Sequence, residues 1–444
     1  MKNEAIPLTI EKLVYRGDGL GRDKEGRAVF VPFTAPGDRV LARITEAKPD
    51  FLRAQALEVL EPSPLRGNPL CPIFGRCGGC HWQHLEYQAQ VKAKRTILQE
   101  LLAKVGRIPE VPIHPTLAPL SPWNYRARAQ LKIEAGGRGL ILGFYKSRSN
   151  QVVEVSECPL LQGCLNQVLT ILRGLLARDP RLPSLLSSLH EIQLIAGAGE
   201  KEVLLYLLGP RMETKVGEFV GQSLRPELPF LQGIVYQDKE RKEGKSSISV
   251  WGRGHVTAGV GGLHLCVSAG SFFQVATAAA EALVDKVLEY AALTGEEAVL
   301  DLYAGVGTFT LPLAQRSKRT VGVELDMQAV ADALYNLGAN GIENCEVWNM
   351  ALEEALESSL VRDKWDLVVL DPPRQGLTRR ALEGLLRLKP ERIIYVSCDP
   401  STLARDLSRF CSRGYRCLEV QPLDLYPQTY HIEAVAALTK RAAL

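Results

Sequence analysis

Three cysteines crowd into ten residues of this chain, CPIFGRCGGC, as Cys71, Cys77 and Cys80 in a C-x5-C-x2-C run. Thiolates this close, beside two glycines that let the backbone fold round a ligand, make a poor hydrophobic core and a good soft-metal site. A tetrahedral zinc site or a cubane iron–sulfur cluster needs a fourth ligand. Cys158, followed by proline in SECPLL, is the candidate and Cys164 the rival; the alternative is three unligated thiols. Spacing does not separate zinc from iron–sulfur. It differs from the C-x3-C-x2-C of radical enzymes, which disfavours a radical-generating cluster.

A further cysteine, Cys398, ends the apolar run RIIYVSCDP just before the helical pattern STLARDL. A thiol there is expected to have a depressed pKa, because a helix amino terminus favours the thiolate, and so to serve as a nucleophile. A buried structural cysteine is the other reading. Near the carboxyl terminus, LYPQTYHIEAVAAL sets His431 and Glu433 at the start of an apolar run. If both share one face of that strand, Glu433 points into a cleft; read locally it is equally a surface carboxylate.

A third constellation has the pattern of a nucleoside site. The strand-like AVLDLYAG runs into the loop DLYAGVGTF, giving Asp301 at a strand end and then Gly305 and Gly307. A dinucleotide fingerprint would want glycine at 310, where this chain has Thr310. Glu324 ends the next strand, where a carboxylate can accept both ribose hydroxyl protons. Asp371, in DLVVLDPPR, ends another, and Pro372 and Pro373 stiffen the loop that holds it and Arg374.

These residues need a scaffold, and the chain has length for one. Its 444 residues suggest about three domains. Hydrophobic residues at 46% and charged residues at 23% exclude wholesale disorder. No apolar run approaches the ~18 residues of a membrane span, and MKNEAIPLTIEKLVY has no apolar signal core. The protein is therefore expected to be cytoplasmic, where ten cysteines make a disulfide framework unlikely. The net charge of +3 hides an asymmetry: residues 61–150 carry 13 Lys/Arg against 5 Asp/Glu. Such a basic middle segment suits a polyanion such as nucleic acid, or else an ordinary solvated surface.

Residues 8–60 read as short strands (LTIEKLVY, RAVFVPF, DRVLARITEA, FLRAQALEVL) separated by GDGLGRDKEG, TAPG and KPD. That suits a small barrel of the oligonucleotide-binding type. After a Pro-rich break, an amphipathic helix is expected over about 84–104, with basic residues on its polar face. From about 120 to 260 β-rich runs dominate, interrupted by the helical CLNQVLTILRGLLAR, and QDKERKEGKSS is expected to be a hairpin loop. From about 275 helix and strand alternate, the signature of a parallel, doubly wound α/β sheet with ligands at the strands' carboxyl ends.

Together the motifs SFFQV, DLYAGVGTF, VGVE, DPPR, SCDPSTLARDL and YPQTYHIE, in that order, and the cysteine run resemble the bacterial RNA uracil-C5 methyltransferases that use S-adenosylmethionine. The likeness covers nearly the whole chain and is strongest to the iron–sulfur branch acting on 23S ribosomal RNA. It implies a TRAM/OB-like RNA-binding barrel (1–60), a β-rich central domain with an iron–sulfur site (61–265) and a Rossmann-like class I methyltransferase domain (266–444). It makes Cys71, Cys77, Cys80 and Cys158 ligands of a [4Fe-4S] cluster. It makes Cys398 the nucleophile, Glu433 the proton acceptor, and Gln274, Tyr303, Glu324 and Asp371 contacts of S-adenosylmethionine. The chain departs from the family pattern at Asp399 and Ala276, where asparagine is frequent. Around VWNMALEE the alignment wavers among Asn349, Met350 and Ala351, so no adenine contact is assigned.

The implied reaction explains the residue types. Uracil C5 is too weak a nucleophile to take a methyl group from a sulfonium unaided. Attack of a thiolate on C6 gives C5 carbanion character, and after methyl transfer a base must remove the C5 proton before the cysteine can leave. The target base must leave its stack, so single-stranded or loop RNA is the expected partner. A tRNA loop uracil is the alternative substrate, and a non-catalytic RNA-binding protein with a redox-sensing cluster the alternative function. A monomer is the simplest expectation.

Overall fold

The computed structural model describes residues 4–136, 139–210, 214–238 and 247–441. Five strands, β1 (Ala5–Leu13), β2 (Gly19–Arg22), β3 (Ala28–Val31), β4 (Arg39–Ala47) and β5 (Phe51–Glu61), close into a barrel in the order β1-β2-β3-β5-β4. Its β2 lies inside GDGLGRDKEG, which patterning marks as a turn. The glycines conceal the strand because the barrel leaves no room for side chains there. A Cβ on Gly19 would stand 2.2 Å from Thr34 Oγ1, and one on Gly21 2.6 Å from the Thr9 carbonyl oxygen.

The amphipathic helix runs Tyr87–Lys104 and carries more than a basic outer face. Lys94 is fully buried, paired with Asp424 at 2.5 Å and donating to the Tyr426 carbonyl. Gln90 donates to Gln428 and accepts from its backbone N–H. The irregular stretch 424–431 thus receives its polar partners from this helix, since buried backbone outside regular structure needs some. A separate core of Leu13, Ala35, Trp82, Leu85, Ile97 and Ile432 joins barrel, helix and that stretch.

Seven further strands, β6 (Arg128–Gly136), β7 (Gly139–Tyr145), β8 (Val152–Glu154), β9 (Glu191–Ala196), β10 (Val203–Gly209), β11 (Leu231–Asp238) and β12 (Ser247–Gly252), form the central sheet. Their order is β12-β11-β10-β9-β6-β7-β8. The expected helix spans Gly163–Arg178. A second, Thr214–Leu224, escapes patterning because of its glycines; Gly221 lets it close on Trp251, whose ring carbons would lie 2.7 Å from a Cβ there. The hairpin expected at QDKERKEGKSS has paired flanks, Gln237 opposite Ser247, while its tip lies outside the described residues.

A two-stranded ribbon, β13 (His255–Val260) with β14 (Leu263–Ser268), leads to the last sheet. That sheet comprises β15 (Ala298–Leu302), β16 (Arg319–Glu324), β17 (Cys345–Asn349), β18 (Leu367–Leu370), β19 (Arg392–Ser397), β20 (Tyr415–Leu423) and β21 (Glu433–Lys440). Its order is β17-β16-β15-β18-β19-β21-β20; the first five strands are parallel and β21 runs antiparallel between β19 and β20. Successive residues of β18 and β19 fall into two different cores, so both faces are covered, as a parallel sheet requires. The core on one face also holds Ile195, Leu204 and Val256, so the central sheet and this one share an interior. Among the described residues no helix is long and apolar enough to cross a membrane.

Candidate active site

The strand order reverses between β15 and β18, and ligands of open α/β sheets bind outside the carboxyl ends of strands at such a point. Tyr303 follows β15, Glu324 ends β16 and Asp371 follows β18. Tyr303 has φ of 69°, a left-handed conformation uncommon outside glycine, and its N–H donates to the Val323 carbonyl. Gly305 and Gly307, at φ 56° and 92°, complete the turn. Glu324 accepts from the N–H groups of Gly305 (2.9 Å), Leu325 (2.7 Å) and Asp326 (2.8 Å), which hold its carboxylate beside the glycine loop.

Asp301 is fully buried, accepts the Thr310 hydroxyl at 2.5 Å on one oxygen and has no hydrogen-bond partner among the described residues on the other. Loss of water, with Asp371 and Glu324 nearby, pushes its carboxyl up to about 7. Burial does the same to Asp371, also up to about 7. Two buried carboxyl groups resisting ionisation, with Glu324 beside them at the same sheet edge, form a site that a cationic ligand would relieve. Gln274 is 6% exposed and lines a narrow cavity with Arg128, Ala196 and Thr257. Asn349 donates to the Glu324 and Leu325 carbonyls.

Cys398 sits between β19 and the helix Pro400–Cys411. Glu433 reaches the same edge because β21 is antiparallel: its first residues lie opposite the end of β19, with Ala434 beside Ser397. His431 precedes the strand, so the two do not share a strand face as sequence suggested. Glu433 is 3% exposed. Burial and Asp371 hold its carboxyl well above the usual carboxylate range, with Arg374 opposing.

The expected depression of the Cys398 thiol is not found. Burial, then Glu433 and Asp371, push it up to about 12. The helix behind it is capped by Asp399, which accepts from Ser401 N (2.9 Å) and Thr402 N (3.0 Å), so the dipole's positive end faces that carboxylate.

Cys398 opens onto a cleft of about 920 Å³ where the barrel meets the loops of the two seven-stranded sheets. The barrel contributes Tyr15, Arg16 and Phe33, and the β7–β8 connection Lys146 and Arg148. The catalytic sheet's loops add Arg374, Tyr430 and His431. His81, next to Cys80, packs against Tyr430 with ring centroids 4.4 Å apart. Cations interleaved with aromatic faces suit single-stranded nucleic acid. Of these residues, sequence patterning singles out only Arg374, His431 and Cys398; the one local signal for His81 is its place beside the cysteine run.

The four candidate thiols share a second cavity, of about 440 Å³, lined by Cys71, Cys77, Cys80, Cys158 and Arg126. Cys164, the rival, is buried beside Glu200 in another core. Gly79 N–H points at Cys77 Sγ (3.4 Å), and the Leu160 and Leu161 amides serve Cys158. Burial raises the Cys77, Cys80 and Cys158 thiols, Cys80 to about 12. Arg126 acts on all three, and its buried Nε has no partner among the described residues. Among those residues no three His, Cys, Asp or Glu side chains converge on a single-ion site. Thiolates are donors for soft metals, and here four of them line one cavity.

The last sheet's order and its acidic strand ends define a class I methyltransferase, here joined to a small RNA-type barrel. Residues 1–57 match the TRAM domain model, and residues 262–441 match the tRNA (Uracil-5-)-methyltransferase model. An uncharacterized RNA methyltransferase of Halalkalibacterium halodurans is 33% identical over 98% of this chain and 97% of its own length. One from Nostoc sp. is 36% identical over 98% and 96%. The crystal structure of the Pyrococcus abyssi tRNA (uracil-54, C5)-methyltransferase with S-adenosyl-L-homocysteine aligns with a TM-score of 0.76 at 27% identity. That alignment covers 98% of this chain and all of that one. The chain belongs to the TRAM-containing, S-adenosylmethionine-dependent RNA uracil-C5 methyltransferase family.

Proposed function

We propose that the protein methylates C5 of a specific uridine in 23S ribosomal RNA, with Cys398 as nucleophile and Glu433 as base. The observation that carries this reading is the delivery of Cys398 and Glu433, from a parallel and an antiparallel strand, to one sheet edge. The Cys398 thiol gives up its proton to solvent as its sulfur adds to uracil C6, and the electron pair of the broken C5–C6 double bond moves to C5, which takes the methyl group. Glu433, ionised at this step and made a stronger base by its raised pKa, takes the C5 proton after transfer; the electrons of that C–H bond re-form the C5–C6 double bond as the C6–sulfur bond breaks and Cys398 leaves. S-adenosylmethionine, when bound, supplies the electrophilic methyl group. Tyr303, Glu324 and Asp371 hold it, with Gln274 assigned by resemblance, and their acidic edge favours its positive charge.

Residues 1–60 serve as the RNA-binding barrel, 61–265 as the central domain and 266–444 as the catalytic domain of a monomer in the cytoplasm. Cys71, Cys77, Cys80 and Cys158 hold a [4Fe-4S] cluster. When bound, it would join the 71–80 loop to residue 158, with Arg126 placed to balance its charge. Cys158→Ser is expected to lose the brown chromophore of anaerobically purified protein while Cys164→Ser keeps it. Colourless protein with stoichiometric zinc would remove the cluster from the account.

The cysteine set and barrel support the ribosomal target through the resemblance. The likeness to the Pyrococcus abyssi enzyme supports a second reading, a uridine in a tRNA loop. Methyl-labelled S-adenosylmethionine, offered with unmodified 23S rRNA and tRNA transcripts, decides. Label in 5-methyluridine of 23S rRNA is expected; label confined to tRNA gives the second reading.

A further inference from the structure

The barrel touches the nucleophile's own turn through one side chain. Tyr15 lies in the loop between β1 and β2, and its hydroxyl donates to Asp399 Oδ2 at 2.5 Å. The other oxygen of Asp399 caps the helix that follows Cys398, and Thr402, one of the residues it caps, donates its hydroxyl to the Arg374 carbonyl at 3.1 Å. One carboxylate therefore ties together the barrel, the turn carrying the thiol and the loop after Asp371.

The Tyr15 loop is shaped for this seat. Arg16 and Gly17 have φ of 77° and 94°, and the Trp82 indole N–H donates to the Gly17 carbonyl at 3.0 Å. A Cβ on Gly17 would lie 3.1 Å from a Tyr430 ring carbon, so glycine permits both the turn and the close approach. The Tyr15 ring meets Tyr430 edge-on at 6.2 Å. Tyr15, Asp399 and Cys398 all line the same cleft. Burial and Asp399 push the phenol's pKa upward, so it remains a donor.

We propose that Tyr15 is a positioning residue: by holding Asp399 it sets the turn that presents Cys398, so the thiol is aligned when the barrel is seated. This rests on Cys398 being the nucleophile. The bond is charge-assisted because residue 399 is an aspartate.

Tyr15→Phe keeps the ring contacts and removes only the donor; Asp399→Asn keeps one oxygen to cap the helix and turns an amide N–H toward the phenol oxygen, a weaker neutral bond with its direction reversed. The measurements are single-turnover methyl transfer to 23S rRNA and tRNA transcripts, adduct formation on the same transcripts made with 5-fluorouridine, RNA KM and S-adenosylmethionine Kd. Tyr15→Phe is expected to slow both reactions roughly tenfold, the scale of one hydrogen bond to a charged group, with KM and Kd little changed. Asp399→Asn should slow them less, and the double variant no more than Tyr15→Phe. Wild-type rates in Tyr15→Phe, losses that multiply in the double variant, or an effect confined to RNA KM would each overturn the proposal. A wild-type protein that forms no adduct with either RNA would instead overturn the uracil-C5 reading on which it rests.

Discussion

Cys398→Ala is expected to bind S-adenosylmethionine as the wild type does and to leave RNA unmethylated. The acidic edge assigned to the cofactor is made by Tyr303, Glu324 and Asp371, none of which depends on the thiol. Without attack at C6, however, C5 has no electron density to take up a methyl group. Deleting a covalent nucleophile costs roughly 10⁶-fold in turnover, which is loss to background. The same variant isolates the reactivity of this thiol from that of the other cysteines. Because the thiol is pushed up to about 12 in the free protein, it is neutral at pH 7 and gains thiolate as pH rises. Alkylation attributable to Cys398, wild type minus variant, should therefore climb about tenfold per pH unit between pH 7 and 9 without a plateau. A plateau near pH 7 would mean that the thiolate is already formed.

Glu433→Gln should stall the reaction one step later. It keeps the thiol and the methyl donor's site but removes the base, so a covalent RNA complex already carrying the new methyl group should accumulate. Loss of a general base costs about 10²–10⁴-fold, enough to make that species visible on denaturing gels with natural RNA. Folding offers a control. The carboxyl's folded pKa is raised above its unfolded value, so ionisation weakens the fold as pH rises through the folded pKa. Glutamine carries no such charge, and the variant's Tm at pH 8 should be no lower than wild type. A stable variant with near wild-type turnover and no trapped complex would place the base elsewhere.

The catalytic sheet is legible in the sequence because its strands, buried on both faces, read as apolar runs such as LVVL and RIIYVS, each ending at or just before a polar residue. Local pattern alone therefore sets Glu324, Asp371 and Cys398 at strand ends. Three things are not legible. The strand Gly19–Arg22 looks like a turn because its glycines answer contacts made across a closed barrel. Lys94 looks like a surface cation on an amphipathic helix, yet its partner Asp424 lies 330 residues away. The thiol's environment depends on Glu433 and Asp371, whose approach is set by an antiparallel strand insertion that no local pattern encodes. Long-range placement, and not residue type, separates what local pattern can and cannot convey.

The central claim is that Cys398 adds covalently to a uracil. RNA transcribed with 5-fluorouridine tests it most directly, since fluorine at C5 cannot leave as a proton does and the reaction halts after methyl transfer. Incubated with S-adenosylmethionine and 5-fluorouridine transcripts of 23S rRNA and tRNA, the wild type should form a denaturant-stable protein–RNA adduct. Mass spectrometry should find the modified nucleotide on the peptide containing Cys398, and Cys398→Ala should give none. An adduct on another cysteine, or methylated RNA formed with no covalent species at all, would contradict the account.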